Sequence, residues 1–172
     1  TQDVFIEHVG IPTLGALREA VDALKELNMH RKVQLIVSGG IRTGADVAKA
    51  LAMGADAVSI GSAAMMALNC NADLYREDYE KLGTEPGFCH HCHTGRCPVG
   101  VATQDPKLEE RLDPVEGGRR LRNYLSTLTL ELQTLARANG KSDVRNLEPE
   151  DLVALTVEAA AMARVPLAGT DW

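Results

Sequence analysis

Hydrophobic and polar positions change period several times along the chain. Leu14, Leu17, Val21 and Leu24 recur at helical spacing, with Arg18, Asp22, Lys25 and Glu26 between them, and predict an amphipathic helix. The run Val33-Gln34-Leu35-Ile36-Val37 then reads as a strand ending at Ser38-Gly39-Gly40. Thr43, followed three residues later by Asp46, is a capping-box signal for a second helix; Val47, Ala50 and Leu51 form its apolar stripe and Met53-Gly54 its stop. Asp56 to Ile60 reads as another short strand, and Gly61-Ser62 opens a helix expected to run toward Cys70. Val4-Phe5-Ile6, ahead of the turn-rich Gly10-Ile11-Pro12-Thr13, is a possible third strand. Strand–loop–helix units at this spacing predict a parallel sheet of the α/β class.

Periodicity fades over residues 71–106, where Gly, Pro, His and Cys concentrate. Such a segment reads as loop and needs an internal staple to be ordered. Beyond it, Leu121, Leu125, Leu128, Leu132 and Leu135 follow a heptad-like spacing that predicts a helix stopping at Asn139-Gly140. Pro149, then Leu152, Leu155 and Ala159, mark a further expected helix.

Composition narrows the reading. Of 172 residues 45% are hydrophobic but only 3% aromatic. The core must therefore come from Leu, Val, Ile and Ala, which favours helices and buried parallel strands over an all-β sandwich. The formal charge is -6, and no block of Lys and Arg offers a nucleic-acid face; Arg119-Arg120 reads as a solvated helix surface. No apolar run approaches the roughly 20 residues that span a bilayer. No secretory pattern opens the chain, so the expected compartment is the cytoplasm. The sequence starts at Thr1 inside what reads as strand and loop, so an upstream segment is expected.

Two glycine loops are the first chemical signal. Ser38-Gly39-Gly40-Ile41-Arg42 follows one strand and Gly61-Ser62 the next. Glycines let backbone N–H groups approach a phosphate, and a following helix N-terminus adds partial positive charge. Arg42 adds a fork of donors. A tight βα turn also explains a Gly-Gly pair, but two loops at this spacing favour a phosphate site made by Ser38, Gly39, Gly40, Arg42, Gly61 and Ser62. FMN, a sugar phosphate or a nucleotide all suit that spacing.

Cysteines are the second signal. Cys89, Cys92 and Cys97 form a C-x2-C-x4-C run closed by Pro98, and Cys70 lies upstream at the expected helix end. In a chain without a secretory pattern this points to metal ligation rather than disulfides. Spacing alone leaves iron–sulfur and zinc equally open, with His90, His91 and His93 at hand. The histidines read as surface groups or as supports behind the ligands.

The stretches Ser38-Gly39-Gly40-Ile41-Arg42-Thr43-Gly44-Ala45-Asp46-Val47 and Ala50 to Val58 resemble the last two βα units of FMN-dependent (β/α)8 barrels. Cys92 to Gln104 is similar to the cluster segment of glutamate synthases. That resemblance implies the C-terminal part of an FMN-binding TIM barrel, an α/β fold, followed by an iron–sulfur loop and C-terminal helices. It implies FMN held by the glycine loops and an iron–sulfur cluster, [3Fe–4S] or [4Fe–4S], held among Cys70, Cys89, Cys92 and Cys97. The family spacing is C-x5-C-x4-C, whereas here 18 residues, 71–88, separate Cys70 from the extra Cys89. Four-Cys variants resemble stand-alone glutamate-synthase-like subunits, including that of N-methylglutamate synthase.

The expected division is residues 1–69 for the last barrel units, 70–106 for the cluster segment and 107–172 for a helical extension. As a straight helix, Gly61 to Cys70 would span about 13 Å, a short electron hop from flavin to cluster. The resemblance implies an oxidoreductase that reductively forms L-glutamate, or N-methylglutamate in methylamine metabolism, from a 2-oxoglutarate-derived imine. Implied partners are segments or subunits completing the barrel, an amidotransferase-like subunit, and an electron donor of NAD(P)H/FAD or ferredoxin type. Substrate-contacting residues would then lie upstream; Glu7 and His8 read as surface groups. An electron-transfer or scaffold subunit without substrate chemistry, and a zinc-stapled phosphate-binding barrel fragment, are the competing readings.

Overall fold

Helix α1 (Thr13–Glu26) begins where Pro12, with φ near the value a helix needs, leads in, and it buries Leu17 and Val21. The computed structural model describes Phe5 and residues 8–170. Of the possible strand at Val4-Phe5-Ile6 only Phe5 is described, and its backbone is helical; Glu7 also lies outside the described residues, and His8 is exposed.

After α1 the chain turns tightly. Asn28 and Arg31 take positive φ, and Lys32 and Val33 N–H groups both donate to Met29 O. That turn consumes the start of the expected strand, so β1 is only Ile36–Ser38. It pairs in parallel with β2 (Ala57–Ser59), in the register Ile36↔Ala57, Val37↔Val58, Ser38↔Ser59. Between them α2 (Gly44–Ala52) carries the expected capping box and buries Val47, Ala50 and Leu51. Asp56 ties the strand entrances together, since its carboxylate accepts from Leu35 N–H at 2.8 Å and from Arg31 at 2.9 Å.

Helix α3 (Ser62–Ala67) is shorter than expected. Asn69 turns left-handed at φ 75°, and Asn69 and Cys70 N–H groups bond back to Met66 O and Met65 O at 2.9 and 3.1 Å. Cys70 therefore stands outside the helix, and the straight-helix spacing from Gly61 does not hold. The stretch read as loop contains a 3₁₀ turn at Asp73–Tyr75, helix α4 (Arg76–Lys81), and a second 3₁₀ turn at His91–His93. Helix α5 (Pro106–Glu109) is capped by Asp105.

Helix α6 (Pro114–Ala138) confirms the heptad reading. Leu128 and Leu132 are buried, and Gly140 at φ 71° follows the helix end. The helix expected from Pro149 is a correction. Pro149–Asp151 is a 3₁₀ turn, and the chain then runs extended because Ala154 N–H donates to Pro166 O and Ala154 O accepts from Ala168 N–H, both at 2.8 Å. Thr156 then caps a separate short helix, α7 (Val157–Ala163), by accepting from Ala159 N–H.

Residue contacts divide the chain into two units. One runs from Gly10 to Ile60 and resumes at Thr127; the other holds Gly61–Ser126. In the first, α1 packs on α7, where Gly15 lies against Met162 and Arg164 pairs with Asp22. Among the described residues the sheet has two strands, so the fold seen is a helix-rich α/β piece with a small parallel sheet.

Candidate cofactor and metal site

The glycine loop leaves β1 directly. Gly39 and Gly40 have φ of 119° and 73°, a region that side chains rarely adopt, and a Cβ on Gly39 would lie 2.9 Å from Thr13 Oγ1. Ser38, Gly39, Gly40 and Arg42 are all exposed. Because Ser38 sits opposite Ser59, the chain leaves β1 and β2 at the same sheet edge. Gly61, with φ -110°, and Ser62 open α3 in the other unit, and both are exposed.

The N-terminus of α2 is already supplied with carboxylates. Asp46 Oδ2 accepts from the N–H groups of Arg42 and Thr43, both at 3.1 Å, and Glu131 Oε2 accepts from Gly44 N–H at 2.7 Å. Burial pushes the Asp46 carboxyl up, but those backbone donors, Thr43 and the nearby Lys49 outweigh it and hold it below 3.8. The first N–H groups of α2 are thus taken up by carboxylates within the chain. Glu131, 87 residues away, gives no signal at sequence level that it would reach this turn.

The four thiols gather within one unit. Tyr79, Cys97, Ala72 and Val99 form a small buried core, and Cys70, Cys89, Tyr75, Val101 and Ala102 pack against it. Burial raises the Cys70 thiol, with further upward pushes from Cys92, Cys97 and Cys89. Cys97 is buried, Cys70 and Cys89 are half-buried, and Cys92 is exposed.

Tyr79 is 1% exposed, and its hydroxyl donates to Cys70 O at 2.5 Å. Burial, then the charges of Cys70, Cys89, Cys97 and Cys92, push its phenol up to about 12. Arg111 braces the far side of the loop. It donates to Pro98 O at 2.6 Å and Asp78 at 2.8 Å, and stacks 4.5 Å over the Tyr75 ring. His91 meets Leu82 O at 3.1 Å through one ring nitrogen, while the other is buried without a partner. His90 and His93 are exposed.

Sequence reasoning missed Tyr79 and Arg111. An aromatic inside a supposed loop, in a chain with three Tyr, was the available signal for Tyr79; Arg111 had none.

Among the described residues no three His, Cys, Asp or Glu side chains stand ready-made around one metal ion. A set of thiols with Cys97 buried beside Val99 and Ala72 fits a soft, thiolate-bound group such as an iron–sulfur cluster.

A family model described as "Conserved region in glutamate synthase" matches residues 1–142. The chain belongs to the glutamate synthase family. It is 65% identical over 172 residues to a glutamate synthase large subunit-like protein of Rhizobium meliloti, covering all of this chain and 39% of that protein. An archaeal glutamate synthase (NADPH) of Methanocaldococcus jannaschii is 42% identical over 144 residues, covering 84% of this chain and 25% of that protein. An archaeal-type glutamate synthase (NADPH) of Thermotoga neapolitana is 38% identical over 141 residues, 82% of this chain and 25% of that protein. The chain thus spans between a quarter and two fifths of the length of these glutamate synthase relatives.

Proposed function

We propose that this chain supplies the FMN-phosphate loops and the iron–sulfur segment of a glutamate-synthase-type oxidoreductase forming L-glutamate. The observation that carries this is the gathering of Cys70, Cys89 and Cys97 at one apolar core, with Cys92 in the same run of sequence, in a chain of the glutamate synthase family. When bound, FMN would supply hydride to a 2-oxoglutarate-derived imine and the cluster would supply single electrons.

This chain's own residues bind and shield. Gly39 and Gly40 present backbone to the phosphate, and Arg42 adds a charged fork beside them. Ser38 completes the proposed anion cradle on this loop. Asp46 holds the loop's exit by its bonds to Arg42 and Thr43. The four cysteines would hold the cluster, while Val99, Ala72 and Tyr79 keep water from its buried side. Ile36 on β1 is 62% exposed, and an apolar strand residue in that state supports a barrel completed by other segments of the protein or a subunit. Two of the relatives are glutamate synthases (NADPH), which favours glutamate over N-methylglutamate as product and NADPH as reductant.

The test replaces Arg42 with Ala in the full-length protein. FMN affinity should fall about tenfold or more, the worth of one charge-assisted contact. Unchanged FMN content would overturn the phosphate site, and a colourless wild-type protein would overturn the cofactor reading altogether.

A further inference from the structure

We infer that Tyr79 is a positioning residue that fixes Cys70 as a ligand, so that Cys70, Cys89, Cys92 and Cys97 together hold one four-iron cluster. The inference deepens the iron–sulfur reading above and rests on it.

Cys70 is pinned on both sides of its Cα. Its N–H donates to Met65 O at 3.1 Å, and its carbonyl accepts the Tyr79 hydroxyl at 2.5 Å. With both backbone groups engaged, little beyond χ1 remains to aim the sulfur. Asn69, left-handed at φ 75°, turns Cys70 off the axis of α3 toward the core that Tyr79, Cys97, Ala72 and Val99 form.

The same tyrosine holds the other end of the 18-residue stretch between Cys70 and Cys89. Its carbonyl accepts Thr84 N–H at 3.1 Å, and Thr84 Oγ1 donates to Phe88 O at 3.0 Å. Phe88 directly precedes Cys89. A short chain of hydrogen bonds thus runs from Cys70 through Tyr79 and Thr84 to the residue before Cys89. Left unbraced, a stretch of this length would lose closure entropy each time its two cysteines met. Cys70 and Cys89 both pack on the core to which Cys97 belongs, so neither stands apart as a spare.

The experiment uses the full-length protein purified anaerobically, and reads iron, acid-labile sulfide and electron paramagnetic resonance. A four-iron cluster on four cysteines gives about four irons and four sulfides per chain, where a two-iron cluster would give about two of each, and is silent as isolated and paramagnetic on reduction with dithionite. Cys70→Ser should replace this with the signal of an oxidised three-iron cluster. Tyr79→Phe keeps the ring and removes only the hydroxyl. It should raise the rate at which ferricyanide produces the three-iron signal by about tenfold, the effect of one lost buried hydrogen bond. In that conversion ferricyanide takes one electron as one iron leaves as Fe(II).

If Tyr79→Phe lowers the melting temperature but leaves nuclearity and conversion rate at wild-type values, the positioning role is refuted. If the wild type already shows the three-iron signal and Cys70→Ser matches it, Cys70 is no ligand; the inference falls while the iron–sulfur reading stands. Absence of iron and sulfide from the wild type would overturn both.

Discussion

Gly44→Ala offers a sharp test of how the C-terminal helix supports the glycine loop. Gly44 opens α2, and a Cβ built there would lie 2.4 Å from Leu128 O, 2.6 Å from Leu132 N and 2.8 Å from Glu131 Cβ. Two of those atoms are backbone of α6, so no side-chain rotation relieves the clash. The helices must part, which exposes Leu128 and Leu132 and breaks the Gly44 N–H bond to Glu131 Oε2 at 2.7 Å. Overpacking of this kind costs about 1–3 kcal/mol. A hydrogen bond to a charged carboxylate is worth about 1.5–3 kcal/mol. Alanine returns up to about 1 kcal/mol through its better helix propensity. The net loss should be about 2–5 kcal/mol, read as a lower urea midpoint at constant slope. Gly118→Ala on α6 is the control, because nothing lies within 4 Å of its Cβ. It should leave stability unchanged or raise it by up to about 1 kcal/mol. If Gly44→Ala matched the wild type within about 0.5 kcal/mol, the close approach of α6 to α2 would be wrong.

Three further outcomes follow from the same geometry. Asp46 has its carboxyl lowered, so the stability it contributes is present above 3.8 and is lost as pH falls through its lower folded value; amide exchange at Arg42 and Thr43 should accelerate in that window, and an unchanged rate would remove Asp46 as the loop's anchor. Glu131→Gln keeps the shape but drops the charge at Gly44, and should cost about 1 kcal/mol in urea melts while barely shifting the helix signal in circular dichroism. Arg111→Met removes the donors to Pro98 O and Asp78 while keeping some stacking on Tyr75; a loss of about 1–3 kcal/mol and faster iron release under chelator are expected, and iron release at the wild-type rate would show that this brace does not reach the cysteine loop.

Local chemistry was written plainly in the chain. Thr43 and Asp46 announce the cap of α2, and Gly39 and Gly40 announce a turn whose φ values side chains rarely adopt. The heptad leucines announce α6 together with its stop at Gly140. These signals survive because each depends on neighbours within a few residues, where propensity and short hydrogen bonds dominate.

What tertiary structure decided are the pairings that sequence distance hides. Glu131 reaches Gly44 across 87 residues, and Arg111 reaches Asp78 across 33. The helix expected from Pro149 gives way because Ala154 finds partners in Pro166 and Ala168, and two strand-like hydrogen bonds outweigh a marginal helical preference. Cys70 leaves its helix because Asn69 turns left-handed, and Tyr79 then takes the Cys70 carbonyl. Periodicity cannot register such contacts, since a buried carbonyl accepts whichever donor the fold brings within reach.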